Sequence, residues 1–141
     1  MRIMVELLRN LKGKNMRNNF DRRTQPRIII QNSSVLYRNQ GMLNLFYRYS
    51  GPSELVDISK SGAGFKVQKA VNTYEHIRVK IFIPGEKEYL LHGEVRWIMD
   101  TTPLGNNRIG IQFSPFGYRS HYNSPESLIR LGRLIEKIMS N

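Results

Sequence analysis

The residues best suited to chemistry lie in two short polar stretches, the first of which spans residues 21–27. It places Arg22, Arg23 and Arg27 close together, and Pro26 disfavours a helix at the residue before it. An extended arm of this kind presents several guanidinium groups to one side. Their planar donors match phosphate oxygens and the O6/N7 edge of guanine. The alternative is a set of surface arginines in a basic linker.

The second polar stretch, residues 57–62, supplies complementary groups. Asp57 and Ser59 are two positions apart, so on an extended backbone their side chains point the same way. A carboxylate and a hydroxyl suit the polar edge of a base, and Gly62 allows backbone and ligand to approach closely. Capping of a local turn would explain Asp57 and Ser59 equally well, and the two roles are compatible. Together the stretches predict a pocket for a guanine nucleotide with its phosphates.

The order and spacing of these residues resemble the signature of PilZ domains, a bacterial family of cyclic di-GMP receptors. The chain has Arg23-x-x-x-Arg27, then twenty-nine intervening positions, then Asp57-x-Ser59-x-x-Gly62. Each half of this pattern is weak on its own. The two halves in this order are more specific.

Two later segments extend the resemblance. Gly93-Glu94-Val95-Arg96-Trp97 looks like the family's Gly-x-Val-x-Trp strand, and Gly110-Ile111-Gln112-Phe113 looks like its late Gly-aliphatic-x-Phe strand. The similarity covers roughly residues 20–115. From their residue types, Trp97 and Phe113 are expected in the core of the domain.

The resemblance implies a mainly β fold, a six-stranded antiparallel barrel with a C-terminal helix, and cyclic di-GMP as the ligand. Arg23 and Arg27 would contact phosphate and the Hoogsteen edge of guanine. Asp57 would accept from guanine N–H groups, and Ser59 would bond a base or a phosphate. Arg22 occupies the position that bears, in the family, on whether one ligand or an intercalated pair is held, and an arginine there favours the pair.

The composition excludes several chemistries. The 141 residues contain no cysteine, which rules out disulfides, thiolate metal sites and cysteine nucleophiles. The three histidines, His76, His92 and His121, lack metal-ligand spacing, and no glycine-rich phosphate loop or nucleophile motif occurs. We therefore expect no catalytic residue, no metal, no cofactor besides the dinucleotide ligand, and no enzyme activity.

The net charge of +11 is concentrated near the start of the chain. Residues 1–27 hold eight basic side chains against two acidic ones, a net charge of +6. An anionic partner is expected there, whether a dinucleotide, nucleic acid, an anionic membrane surface or an acidic protein. A solvated basic tail is the alternative for residues 1–19.

No stretch of the sequence is long enough for a membrane-spanning helix. The apolar residues near the start are interrupted by Glu6 and Arg9, and no small-residue cleavage site follows them. We expect a cytoplasmic protein without an integral membrane segment.

The chain divides into an extension, residues 1–20, and a barrel domain, residues 21–141. Residues 2–12 place apolar side chains on one helical face, and Gly13 follows where a helix could stop. This helix could dock on its own domain, contact a partner or touch a membrane surface. Residues 14–27 have too little apolar content to order themselves, so we expect them to become ordered when ligand binds.

From Arg27 onward the pattern is that of successive strands. Residues 76–83 alternate most clearly, with Ile77, Val79, Ile81 and Ile83 on one face. Six or so antiparallel strands with short turns predict a small barrel. The predicted strands are 27–30, 34–37, 42–49, 54–58, 65–67, 76–83, 88–99 and 108–113.

A C-terminal helix is predicted at about 124–139. Ser124 can cap it, and Pro125 suits the first helical position. Leu128, Leu131 and Ile135 begin an apolar stripe that could cover the open end of the barrel. The same stripe could instead serve a second chain.

The sequence therefore favours a cyclic di-GMP receptor or adaptor that orders its N-terminal arm and signals to a protein effector. Motility, attachment or polysaccharide machinery would be typical effectors for the family. One rival is a PilZ-like scaffold that binds no nucleotide. Another is a basic barrel for single-stranded nucleic acid, suggested by the net charge and by Tyr47, Arg48 and Tyr49. On a strand, Arg48 faces away from both tyrosines, so nucleic acid is not the favoured partner.

Overall fold

The computed structural model describes residues 25–39, 48–100 and 107–141. They form six strands, each paired antiparallel with two neighbours, in a closed barrel of order β1-β2-β3-β6-β5-β4. One helix follows the strands, so the predicted six-stranded barrel with a C-terminal helix is confirmed. The elements are β1 Ser34–Asn39, β2 Ser50–Ile58, β3 Gly62–Val67, β4 His76–Phe82, β5 Tyr89–Asp100, β6 Asn107–Phe113 and α1 Pro125–Ser140.

Regular alternation of apolar side chains builds the core. In β4, Ile77, Val79 and Ile81 are buried, whereas Arg78 and Lys80 between them are partly exposed. Because successive side chains of a strand lie on opposite faces, every strand sends one face inward. The inward-facing residues outside β4 include Val35, Tyr37, Leu55, Ile58, Ala63, Phe65, Val67, Tyr89, Leu91, Val95, Ile109, Ile111 and Phe113.

The prediction of a strand at 27–30 is wrong, because this segment forms only an isolated β-bridge, between Ile28 and Ile58. Ile28 donates to the carbonyl of Ile58 at 2.8 Å and accepts from its N–H at 2.9 Å. A turn then follows at residues 31–32, where Asn32 has a φ of 61°. Asparagine tolerates this left-handed conformation, and the turn ends the segment before a ladder can form.

Part of the predicted strand at 42–49 lies outside the described residues. Arg48 and Tyr49 are described and precede β2, which begins at Ser50. The predicted helix at 2–12 also lies outside them, and the boundary between extension and domain at residue 20 stays a prediction.

Among the described residues, the register between paired strands shifts at three places, one of which lies in β1 against β2, between Val35 and Tyr37. The register of β2 against β3 shifts between Leu55 and Asp57, and that of β5 against β6 shifts between Val95 and Trp97. A bulge adds one residue to one strand, so the side chains beyond it change faces. Leu55 and Val95 therefore belong to the core, whereas Asp57 and Trp97 lie on the outer wall.

The helix α1 packs on its own barrel. Ser124 Oγ accepts from the N–H of Ser127 at 3.2 Å, which caps the helix as predicted. Leu131 and Ile135 are buried and belong to the same core cluster as the strands. Packing on the chain's own barrel, rather than on a second chain, thus accounts for this part of the apolar stripe. In the described part of the chain, no helix has the length and apolarity needed to cross a membrane.

Arg130 fastens α1 to the turn between β4 and β5. Its Nη2 donates to the carbonyls of Lys87 at 2.6 Å and Glu88 at 2.7 Å. Its guanidinium also lies 3.7 Å from the ring centre of Tyr89, a cation–π contact. Burial raises the pKa of Tyr89, whose hydroxyl donates to Glu86 at 2.7 Å.

Replacing Leu131 should destabilise the barrel. L131A removes a fully buried side chain, so the free energy of unfolding should fall by about 2–5 kcal/mol. Ile129 lies on the same helix but is 53% exposed, so I129A should change it by no more than about 0.5 kcal/mol. Unfolding in guanidinium chloride, followed by circular dichroism, measures both. Equal losses in the two variants would contradict the packing of α1 on the barrel.

Candidate functional site

Asp57 holds two arginines on the outer wall of the barrel. Arg27 Nη1 donates to its Oδ1 at 2.8 Å, and Arg108 Nη2 donates to its Oδ2 at 3.2 Å. The side chains of Asp57 and Arg27 are only 9% and 13% exposed, so solvent screens this ion pair weakly. The carboxylate therefore fixes the position of the Arg27 guanidinium.

Gly64 makes room for this carboxylate. It pairs with Asp57 across β2 and β3, and a Cβ atom there would lie 2.8 Å from Asp57 Oδ1. That separation is too short for a carbon–oxygen contact, so any larger residue would displace the carboxylate.

The turn between β2 and β3 is capped by Ser59. Its Oγ accepts from the N–H groups of Ser61 at 3.2 Å and Gly62 at 3.1 Å. A Cβ atom at Gly62 would lie 2.3 Å from the carbonyl oxygen of Ile111, so glycine is required by close approach to β6. The capping role considered for Ser59 is thus present, and it places the turn against β6.

An open cleft of about 480 Å³ lies between this turn, the segment before Ile28 and the outer faces of β5 and β6. Arg27 and Arg96 bring positive charge to its lining, and Arg96 Nε donates to Gln112 Oε1 at 2.7 Å. The remaining lining residues are Gln25, Ser59, Ser61, Gly62, Trp97, Gly110 and Ile111. The cleft therefore combines cationic groups, hydroxyls, an amide and one aromatic ring.

Trp97 was expected in the core, and that prediction is wrong. The bulge in β5 turns its side chain outward, opposite Gly110 of β6. A Cβ atom at Gly110 would come within 2.1 Å of the indole ring, so the ring lies directly on the glycine. The guanidinium of Arg108 is 5.8 Å from the ring centre. Phe113, expected in the core with Trp97, is buried there.

The structure brings together four of the six predicted site residues. Arg27, Ser59 and Gly62 line the cleft, and Asp57 lies behind Arg27 as its ion-pair partner. Arg22 and Arg23 lie outside the described residues, as does most of the arm.

Sequence reasoning missed other residues of the site. No sequence pattern identifies Arg108 or Gly64 as site residues, because each contributes through contact with a residue on another strand. Trp97 and Gly110 were both within recognised motifs, but only the cross-strand register shows that they touch. Within the described segments, no group of three or more histidine, aspartate or glutamate side chains is arranged to hold a metal ion.

A comparison with protein-family models decides the family. The model described as "PilZ domain" matches residues 21–130. The chain belongs to the PilZ domain family. A comparison with curated protein sequences found no match.

Solved structures share the fold of this PilZ domain. The inhibitor of motility MotI/DgrA from Bacillus subtilis is 14% identical with a TM-score of 0.58, covering 86% of this chain and 54% of its own. YcgR from Escherichia coli in complex with c-di-GMP is 15% identical with a TM-score of 0.60, covering 84% and 46%. The MrkH–c-di-GMP complex from K. pneumonia is 12% identical with a TM-score of 0.61, covering 85% and 52%. The chain spans about half the length of these proteins, and at such identities the likeness concerns the fold.

Replacing Gly110 should displace the indole ring of Trp97, the only tryptophan in the sequence. G110A places a carbon inside the ring's position, so the ring must move towards solvent and its fluorescence emission should shift to the red. Steady-state fluorescence of the folded protein measures this shift.

The matched control is G132A in the middle of α1, where an added Cβ atom meets nothing within 4 Å. It should leave the emission unchanged and raise the free energy of unfolding by up to about 1 kcal/mol, because alanine favours a helix. An unshifted emission in G110A would show that the ring does not rest on Gly110.

Proposed function

We propose that this PilZ domain is a cytoplasmic receptor for cyclic di-GMP, without catalytic activity, that signals to a protein partner. The observation that carries the proposal is the Arg27–Asp57 ion pair beside the cleft. It presents an oriented guanidinium next to hydroxyl and amide groups, a set suited to phosphate and to the edge of guanine. Membership of the family supports this ligand, as does the likeness to YcgR and MrkH, whose solved structures contain c-di-GMP.

Each residue has a defined role in the proposed complex. Arg27 donates to phosphate or to the Hoogsteen edge of guanine, since a guanidinium has five N–H donors and the bond to Asp57 takes one. Asp57 accepts from guanine N–H groups, because a carboxylate has about four lone-pair sites and its two arginines occupy one on each oxygen. Gly62 keeps the turn against β6 and so keeps the cleft open.

Ser59 donates its hydroxyl proton to a base or a phosphate. Its oxygen already accepts from two backbone N–H groups, so the proton is what it has to offer a ligand. The present contacts of that hydroxyl are long, 3.4 Å to the carbonyl of Gly62 and 3.3 Å to Ser61 Oγ. A phosphate oxygen is a stronger acceptor than either.

The N-terminal arm completes the site. Gln25 lines the cleft, so Arg22 and Arg23 come only two or three residues before its wall. Within that distance an extended chain brings both guanidinium groups to a ligand in the cleft. Ligand binding orders residues 14–27 over the cleft, with Arg23 on the first nucleotide and Arg22 on a second, stacked one.

The signal passes from the binding turn to α1. Lys60, in the turn beside Ser59, forms an ion pair with Glu136 of the helix, and its hydrogen bond lowers the pKa of that carboxyl. A second cavity of about 370 Å³ separates Gln25 and Pro26 from Ile135 and Met139. Movement of the arm therefore alters the helix surface, and a ligand that prefers one position of the arm changes the affinity of the domain for its effector.

Replacing either member of the ion pair should weaken binding of cyclic di-GMP. R27A removes charge-assisted hydrogen bonds to the ligand, and D57N removes the charge that orients Arg27 and accepts from guanine. Each lost bond of this type costs about 1.5–3 kcal/mol, so affinity should fall about 10- to 100-fold. Isothermal titration calorimetry with cyclic di-GMP measures the loss.

The control variant is K87A, which removes one positive charge from the turn between β4 and β5, ten residues before Trp97 in the sequence. It should bind as the unsubstituted protein does, and cyclic di-AMP should bind poorly to all variants. No binding of cyclic di-GMP by the unsubstituted protein would favour a scaffold. Preference for a single-stranded oligonucleotide over both dinucleotides would favour a nucleic-acid-binding barrel.

The role proposed for Arg22 predicts a change of stoichiometry. The unsubstituted protein should bind a stacked pair of ligands per chain, and R22A should bind a single ligand, because the second nucleotide loses its guanidinium contact. The stoichiometry in the same titrations tests this directly. A single ligand bound by the unsubstituted protein would exclude the stacked pair while leaving the first ligand site in place.

A further inference from the structure

A second cationic surface lies on strands that the cleft does not use. Arg38 of β1 is directly opposite Arg78 of β4, and Arg78 is directly opposite His92 of β5. Opposed side chains on one face of antiparallel strands have Cβ atoms about 4.5–5.5 Å apart. We refer to this row, together with His76 and His121, as the arginine–histidine patch. The cleft instead takes its strand residues from β3, β6 and the C-terminal half of β5.

The patch is held in place by rigid contacts. The rings of His76 and His121 stack with centres 4.5 Å apart and an angle of 16° between their planes. The buried side chain of Asn123 anchors the loop that carries His121 through hydrogen bonds. That side chain accepts from the N–H of His92 at 2.7 Å and donates to the carbonyls of His92 at 2.9 Å and Ser114 at 2.7 Å.

Three buried nitrogen atoms of the patch have no hydrogen-bond partner among the described residues. Arg78 Nε, His76 Nδ1 and His121 Nδ1 are buried, and none has a hydrogen-bond partner in the described part of the chain. Buried polar groups in folded proteins are normally satisfied, so these three nitrogens can each take a further partner. The guanidinium N–H needs an acceptor, and a protonated imidazole needs one too.

Several positive side chains lie close together in the patch. Arg38 and Arg78 face each other across two strands, and like charges in this position repel. Burial lowers the pKa of His92, and the positive charges of Arg78, His121 and Arg38 lower it further. Glu94, on the same strand as His92, stands opposite His76, but its carboxylate lies 3.7 Å from Arg96.

The cationic surface extends past the patch to Tyr49. Its ring centre is 4.6 Å from Lys80 Nζ and 5.4 Å from the guanidinium carbon of Arg38. Lys80 follows Arg78 by two residues on β4, so both lie on the outer face. An anion at the patch would therefore meet several cations at once.

We propose that the arginine–histidine patch binds a phosphate group, supplied either by a small phosphate ester or by a nucleic-acid backbone. Phosphate offers several acceptor oxygens to the guanidinium groups of Arg38 and Arg78, and its negative charge offsets the repulsion between them. The site is independent of the dinucleotide cleft.

Binding at the patch strengthens as the pH falls and His92 takes up a proton. Phosphate favours the charged imidazole, so His92 takes up a proton more readily when the anion is bound. Without the anion, lowering the pH has the opposite effect and destabilises the folded protein. A depressed pKa of His92 in the folded protein means that the unfolded chain binds more protons, and stability falls as the pH drops below about 6.5. Added phosphate should relieve this loss.

Two probes test the proposal on the full chain. The first is inorganic phosphate, titrated at about pH 6 and again at about pH 8 at matched ionic strength, with the imidazole resonances of His76, His92 and His121 followed by NMR. These resonances should shift, and affinity should be higher at the lower pH. The second is a short fluorescein-labelled oligothymidylate, whose affinity is measured by anisotropy over a series of NaCl concentrations.

The variants are R78Q and H121Q, with K87Q as a matched surface control. A lost phosphate contact should reduce the slope of log affinity against log salt by about 0.7 for single-stranded DNA. If the phosphate group belongs to nucleic acid, R78Q should reduce the salt slope of oligothymidylate binding. If it belongs to a small ester, R78Q should reduce the affinity for inorganic phosphate and leave oligothymidylate binding unchanged. H121Q lies in a loop and provides a second test if R78Q fails to fold by circular dichroism.

The two sources are thus distinguished, and either result supports the proposal. If both probes bind R78Q and H121Q as well as they bind K87Q, the patch is not a phosphate site and the proposal fails. Neither probe requires cyclic di-GMP, so the outcome does not depend on the function proposed for the cleft.

Discussion

The carboxylate of Asp57 is the group on which the organisation of the outer wall depends. It lies between Arg27, which precedes the barrel, and Arg108 of β6, so three separate parts of the chain meet at one anion. The arrangement requires the bulge in β2 that turns Asp57 outward and the glycine that leaves room for it. Loss of one arginine leaves the other in place, whereas loss of the carboxylate leaves two cations facing each other without a counter-charge.

The fold was largely predictable from the sequence, because its alternating strands and capped helix are local patterns. The strict alternation of residues 77, 79 and 81 predicts which face of β4 is buried. Ser124 and Pro125 predict where α1 begins. The site was predictable only in part. A bulge is decided by pairing across strands, so nothing in the residues 93–97 distinguishes an inward Trp97 from an outward one. For the same reason Arg108 and Gly64 became recognisable only when their cross-strand partners were known.

The barrel separates two kinds of positive charge. Around the cleft, Arg27, Arg108 and Arg96 each lie near a carboxylate, so those arginines are oriented as well as charged. On the face formed by β1, β4 and the start of β5, the row of Arg38, Arg78 and His92 is set by register, and burial with neighbouring positive charge lowers the pKa of His92. Net charge alone predicts an anionic partner for the whole chain. The structure shows that positive charges of the described residues lie on two separate surfaces.

The closed order of the six strands has a consequence for how a partner protein recognises this domain. A peptide that binds by strand addition needs a sheet edge with unpaired backbone groups. In the described part of the chain, every strand has a neighbour on both sides, so the barrel has no such edge. On the described barrel, the surfaces left for a binding partner are side chains of the helix, the turns and the outer wall. A few surface substitutions can change these side chains while the hydrogen-bonded framework stays the same, so one scaffold can carry many different outer surfaces.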